Sequence, residues 1–398
     1  MWGVGVAAYL AFPLSGDERF DHGGLTRGFG DVGNALLAPV LRWDSNWYVD
    51  LASHGYRHEA VEPAFFPLYP LLMRGVGEVT TSVVAAGVLI SLAAFFASLV
   101  LLGRLTELEL GPEAARRAIV LLAFFPTALF FSAVYTEALF LALELGAFYA
   151  ARRGRWGWAG VLGALGSATR NTGALLMPAL LVLYLYGPRD DRAPDAKPAD
   201  AAPEGTPPTP GSAWRARIRP RYRLRADALW ILAVPLGLVA YLAYMGSHFG
   251  DWLAPLHAQE HFRRSFEGPL SALWLGAEKA WEGFTGVLDG SQPFGPAVRK
   301  IAQLALALAA VAAAIAALRR LPAAYGVYTV VSIIPILSFP YPPGPLASSA
   351  RYFVALFPLF MWLGWRLRDR RLYYATVAVF AIGLAYCSGM LATWHFVA

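Results

Sequence analysis

An all-α polytopic membrane protein is the fold class this chain predicts, and three observations predict it. Apolar residues make up 57% of its 398 positions and charged residues only 15%, respectively above and below the shares of an average soluble protein. Apolar runs recur that approach the roughly 20 residues a helix needs to cross a hydrocarbon core about 30 Å thick. Arginines gather in short clusters between those runs, where orientation in the bilayer explains them. The formal net charge of +6 is therefore read as membrane orientation, and nucleic acid is not expected as a partner. Cys387 is the one cysteine, so the chain by itself offers no disulfide, no cysteine-built metal site and no redox pair.

Trp2 to Leu14 is apolar but short for a span, and reads as a first crossing whose start has been lost or misassigned. Residues 15–81 form a first outer loop, Gly-rich and polar, with amphipathic Asn34 to Leu41 and a segment at Ala64 to Val76. Pro67, Pro70 and Arg74 in that segment favour an interfacial or re-entrant helix. Spans are expected at Ser82 to Leu102, Ala118 to Val134, Ala138 to Ala151, Trp156 to Ala168 and Gly173 to Tyr186. They close an N-terminal membrane module over residues 1–187. Residues 188–226 read as a disordered basic cytoplasmic linker, because Pro and Ala with scattered charge cannot bury a core. Its alternating arginines, Arg215 to Arg225, suit anionic inner-leaflet lipid, each contributing about 1 kcal/mol there. A C-terminal module, residues 227–398, follows with spans at Ala228 to Gly246, Ile301 to Leu318, Ala323 to Phe339, Tyr352 to Trp365 and Tyr373 to Leu391, and an outer loop at 248–298. About eleven transmembrane helices result.

Lys and Arg favour cytoplasmic loops. With eleven crossings, Arg104, Arg116, Arg117, the Arg152–Arg155 cluster, the linker, Arg319, Arg320 and Arg366–Arg371 all fall on one side, the cytoplasm. The polar-aromatic clusters fall on the other: Asp44 in the first outer loop, the tips at Glu137 and Arg170, the loop with Asp251 and His257, and the tip at Arg351. Loops are also simply where polar residues must go.

The densest of these clusters is Leu41 to Tyr56, LRWDSNWYVDLASHGY. Asp44 lies between Trp43 and Trp47, where partial desolvation makes a carboxylate a stronger base and aromatic faces could stack on a sugar. The alternative is an aromatic belt anchoring an interfacial helix that Asp44 caps; Asp50 could cap or orient the same helix. No DxD pair is present, so a divalent metal holding a nucleotide diphosphate is not indicated, and a donor whose phosphate is carried by lipid is favoured. Such a donor needs a cation, and arginine forks suit phosphate oxygens. Arg42, Arg170 and Arg351 lie at outer ends of crossings, with Asn171 and Tyr352 beside the last two; snorkelling to the interface is the other reading of Arg170 and Arg351. Asp251, His257 and Gln259, with His248 near them, could hydrogen-bond sugar hydroxyls or phosphate. The spacing of His248, His257 and His261 matches no metal-ligand motif, so neither metal nor cofactor is expected. Glu137 is a second carboxylate to weigh, with a helix N-terminal role as its alternative.

Taken together, RWDSNWYVDLASHGY, FFPLYPLLMR, SATRNTGALL, GDWLAPLHAQ and SSARYFVALFP, in this order from Arg42 to the C-terminal WHFVA, resemble the family of the second mannosyltransferase of glycosylphosphatidylinositol assembly (PIG-V-like) and its bacterial relatives. These enzymes belong to the GT-C superfamily of membrane glycosyltransferases. The resemblance implies a GT-C-type bundle in the cell membrane. It also implies transfer of mannose from a polyprenyl-phosphate donor, on the extracytoplasmic face, to a glycan, glycolipid or protein acceptor, with membrane lipids as further partners. The acidic residue of the first outer loop, here Asp44, would be the base. Arg42, Trp43, Tyr48, Gly55 and Tyr56 also match the first motif, and Trp47 stands within it. The corresponding chemistry is an inverting transfer with phosphate as leaving group, which needs only one carboxylate. A lipid or glycolipid transporter and an inactive scaffold subunit are the rival readings.

Overall fold

Ser82 opens the first long helix by accepting a hydrogen bond from the Ala85 amide at 3.2 Å. The helix then runs through Val83–Leu110 (α5), 28 residues or about 42 Å at 1.5 Å per residue. Through its middle the buried side is Gly87, Ser91, Ala94 and Ser98, while Leu89, Leu92, Phe96 and Val100 point outward; Val84, Leu102 and Leu105 are buried toward its two ends. Small residues inside and large apolar residues outside suit a lipid surround, where helices associate by close approach rather than by hiding apolar area from water. The computed structural model describes residues 1–15, 21, 24, 28–57, 59–195 and 220–397.

Among the described residues every regular element is a helix. Before α5 come Trp2–Ala11 (α1), Gly30–Leu37 (α2), Ser45–His54 (α3) and Leu68–Thr80 (α4). After it come Pro112–Phe124 (α6), Glu137–Arg152 (α7), Trp156–Thr169 (α8) and Leu176–Tyr186 (α9). The second half holds Leu236–Phe249 (α10), Ala254–His261 (α11), Ser271–Leu288 (α12), Phe294–Arg320 (α13), Ala323–Ser338 (α14), Ser349–Phe353 (α15), Phe357–Arg366 (α16) and Arg370–Ala392 (α17). By length and composition, α5, α13 and α17 can each cross a membrane, and a fourth span arises if the turn Ala226–Ala233 and α10, bent by 44°, count as one. This is a membrane protein, and these three or four helices are what the geometry supports of the eleven crossings expected.

Proline explains several of the differences. The expected span Ala118 to Val134 stops at Phe124, because Pro126 drives Phe125 out of helical backbone to ψ 141°. The chain resumes as a short 3-10 turn at Ala128–Phe131. Where an interfacial or re-entrant helix was expected, α4 is a continuous helix, since Pro70 falls in its first turn, where a missing N–H forfeits no helical bond. Tyr352 to Trp365 is divided into α15 and α16, with Pro358 in the first turn of α16.

α7 packs between α5 and α8, and α1 lies along α17. Down one side of α7 run Glu137, Glu144 and Arg152. Glu144 is fully buried and accepts the Tyr328 hydroxyl of α14. Arg152 pairs with Glu109 of α5 at 2.7 Å and with Asp190. α8 and α10 meet through glycine, so closely that a Cβ at Gly237 would overlap the Ala164 carbonyl oxygen. Gly237→Ala is therefore expected to destabilise the fold by about 1–3 kcal/mol; an unshifted Tm in detergent would show that the two helices part freely. The disorder expected of the linker concerns, at 196–219, residues outside those described. Of its flanks, Arg189 is buried among the rings of Trp156, Tyr184 and Tyr222 and pairs with Asp191 at 2.5 Å.

Candidate active site

The segment before α3 is set by one phenol. Tyr135, buried at the tip ahead of α7, donates its hydroxyl proton to the Arg42 carbonyl at 2.9 Å and accepts the Asp44 amide at 3.2 Å. The residue between them, Trp43, is held at φ 56°, a left-handed conformation that a bulky side chain adopts only when its surroundings enforce it. That turn aims Asp44 away from the helix it precedes, and its carboxylate makes no capping bond to α3. Asp44 instead accepts Arg351 Nη1 of α15 at 2.6 Å on Oδ2. Its Oδ1 accepts no hydrogen bond among the described residues.

A second carboxylate stands behind the first. Glu137, 2% exposed, accepts a hydrogen bond from Arg170 Nη1 at 2.8 Å, and the same oxygen lies in ion-pair range of Arg351 Nε at 3.4 Å; its other oxygen and Arg351 Nε are buried without a hydrogen bond among the described residues. Arg170 also donates to Thr136 Oγ1 at 3.3 Å, and that hydroxyl lies 3.3 Å from the Tyr48 hydroxyl. Arg351 Nη2 donates to the Tyr352 hydroxyl at 3.4 Å. The chain Asp44, Arg351, Glu137, Arg170 thus joins α3, α15, α7 and the end of α8. Asp44 is its exposed end, with 31% of its side chain accessible against 12% for Arg351 and 19% for Arg170.

Other expected residues go elsewhere. Arg42, 2% exposed, donates to the Ala392 carbonyl at 3.4 Å and lies over the Trp394 ring, tying this segment to the end of α17. Trp43 packs on Trp394 and Phe396, Trp47 stacks on Phe65, and Tyr56 meets Tyr241, Tyr244 and Phe249. Asp50 binds His54 and Arg57. Asn171 is exposed at the start of the turn Asn171–Leu175. Glu137, weighed earlier only as an alternative to Asp44, proves to be the hub; its place at the tip between two apolar runs was the available signal.

Asp251 and His257 pair at 2.7 Å, and no hydrogen bond or ion pair joins them or Gln259 to the Asp44 chain among the described residues. Asp251 and His257, but not Gln259, border a separate cleft of about 230 Å³ between α10, α11 and the loop with Glu59 and Glu62, lined also by Tyr56 and Phe249. The hydrogen bond that His257 donates to Asp251, and then the Asp251 charge, raise the His257 pKa above its ordinary 6.5, while His257 holds the Asp251 carboxyl below its own. The pair is therefore complete below pH 6.5 and is lost as pH rises through the raised His257 value; on the acid side it persists until pH falls through the lowered Asp251 value. In a histidine-labelled sample, His257 should titrate above 6.5 by NMR, and Asp251→Asn should bring it down; a titration indifferent to Asp251 would contradict the pairing. Among the described residues no three His, Cys, Asp or Glu side chains converge as a metal site requires.

Both carboxylates and Arg170 fall inside one stretch with recognisable relatives. Residues 29–180 match the family Mannosyltransferase (PIG-V). The GPI alpha-1,6-mannosyltransferase 2 of Rattus norvegicus is 34% identical over 161 residues, 37% of this chain and 32% of that protein. The Mus musculus protein of the same name is 33% identical over 160 residues, and that of Cricetulus griseus 34% over 157, with the same shares covered. The chain thus spans about a third of the length of these relatives. No solved structure matches. The PIG-V match ends before GDWLAPLHAQ and SSARYFVALFP, so Arg351, Tyr352, Asp251 and His257 lie outside it.

Proposed function

We propose that this protein is a membrane glycosyltransferase, a GT-C-type bundle of about eleven crossings, that moves mannose from a polyprenyl-phosphate donor to an acceptor hydroxyl on the extracytoplasmic face of the cell membrane. The observation that carries the proposal is Asp44: a part-exposed carboxylate with one oxygen on Arg351, the other open, inside the segment that matches mannosyltransferases.

Asp44 Oδ1 takes the proton of the acceptor hydroxyl as that oxygen attacks the anomeric carbon from the face opposite the phosphate. The new C–O bond forms while the bond from the anomeric carbon to the phosphate oxygen breaks. Polyprenyl phosphate departs with the electron pair, and the sugar inverts. Arg351 and Arg170 neutralise charge growing on the departing phosphate, and preorganised stabilisation of this kind is often the largest catalytic term. Glu137 holds both guanidinium groups in place. Asp251 and His257 border the cleft we assign to the acceptor glycan, and Gln259 lies on the same helix beside it.

Labelled lipid-linked mannose and membrane extract test the reading directly. Covalent transfer of label is expected; movement across the bilayer without transfer would favour a flippase, and neither would leave a scaffold. The likeness to mannosyltransferases does not favour the transporter reading.

A further inference from the structure

One more cation faces the same ring. The guanidinium carbon of Arg170 lies 5.2 Å from the Tyr352 ring centre, that of Arg351 5.3 Å, and that of Arg264 5.9 Å. The first two are matched by Glu137 and Asp44. Arg264 has no carboxylate partner among the described residues, so the group around Tyr352 carries three positive charges against two negative ones. Like charges gathered on one partly buried ring repel, and a tyrosine face attracts them only weakly; an anion would relieve the imbalance.

The backbone holds Arg264 there from both sides. Arg263 is left-handed, at φ 52°, and this reversal brings the Arg264 amide onto the Gln259 carbonyl of α11 at 3.2 Å. Three residues on, the Glu267 amide donates to the Ser338 carbonyl at the end of α14 at 3.2 Å, and Phe266 packs on Phe339. A strained turn kept by contacts on both flanks is the kind found where a side chain must be aimed.

We propose that Arg264 is a third ligand of the donor phosphate, carried to the Asp44 site by the same α11 segment that lines the acceptor cleft. The assignment rests on the functional reading above and adds to it a physical link between the two substrates: the segment presenting His257 and His261 to one leads directly into the side chain that meets the other. Its ligand is a lipid-linked phosphate ester.

The test uses the purified full chain in phosphatidylcholine nanodiscs, with polyprenyl monophosphate, inorganic phosphate and phosphatidylglycerol as separate probes, and donor KM measured alongside. Arg264→Ala should weaken polyprenyl phosphate binding about 10- to 100-fold, the share of one hydrogen bond to a charged group. Donor KM should rise more than kcat falls, Arg264→Lys should recover part of the loss, and binding should become less sensitive to salt. Circular dichroism and elution volume identify any variant that is misfolded, and the Lys variant then carries the comparison. Inorganic phosphate or phosphatidylglycerol bound as tightly as polyprenyl phosphate would overturn the lipid-ester assignment. If wild type binds polyprenyl phosphate and Arg264→Ala binds it equally, Arg264 is no ligand while the Asp44 reading stands. If wild type transfers sugar but neither binds nor needs polyprenyl phosphate, the donor reading fails and this assignment with it.

Discussion

Asp44→Asn is expected to lower kcat for sugar transfer by about 10²–10⁴-fold, the range a positioned general base supplies, with little change in folding or donor binding. The substitution keeps size and keeps an oxygen that Arg351 can meet, while the remaining contact of Arg351 with Glu137 at 3.4 Å is untouched. What disappears is the ability of the open oxygen to accept a proton. The measurement is turnover of polyprenyl-phosphate mannose by purified protein, with thermal unfolding and donor binding as controls. Wild-type turnover by Asp44→Asn would remove Asp44 from the chemistry.

Arg351→Ala should be damaging in two ways at once. Among the described residues Glu137, almost wholly buried, keeps only Arg170 as an ion partner, and Asp44 loses the guanidinium it pairs with. Breaking a buried ionic network by removing one member costs about 3–5 kcal/mol, which should appear as a clear fall in Tm. Folded protein that survives should have lost about 10²–10³-fold in kcat, as when one preorganised transition-state donor is deleted. Arg351→Lys should restore part of the stability and less of the activity, because a single ammonium cannot span Asp44 and Glu137 as the fork does. An Arg351→Ala protein with native Tm and turnover would sink both the network and its catalytic role.

How much of this was legible beforehand differs residue by residue. Asp44, Arg170 and Arg351 were readable as outer-end charges because an ionisable side chain beside long apolar runs is conspicuous, and the fold brings all three together. The aromatic residues were ambiguous, since stacking surface looks the same whether it awaits a sugar or another ring: Trp43, Trp47 and Tyr56, each part-exposed, also pack on protein rings. Arg42 was equally ambiguous, and its carbonyl partner 350 residues away at Ala392 leaves no local mark. The helix ends were blurred for another reason. Hydropathy reports what a stretch dissolves in, not where its backbone breaks, so the stop at Phe124 and the division at Phe357 followed from Pro126 and Pro358 rather than from any change in polarity. Arg264 stood in a loop with no pattern at all, and only the reversal at Arg263 makes sense of it.

The side of α7 that bears Glu137, Glu144 and Arg152 sets what can move. Gripped near its top by two guanidinium groups, at mid-height by a phenol and at its foot by Glu109 and Asp190, this rod can neither spin nor slide without tearing several grips together. It is a fixed post. Any rearrangement that admits or releases a substrate must then come from the elements packed around the post, α5 and α8 among them, and not from the post itself.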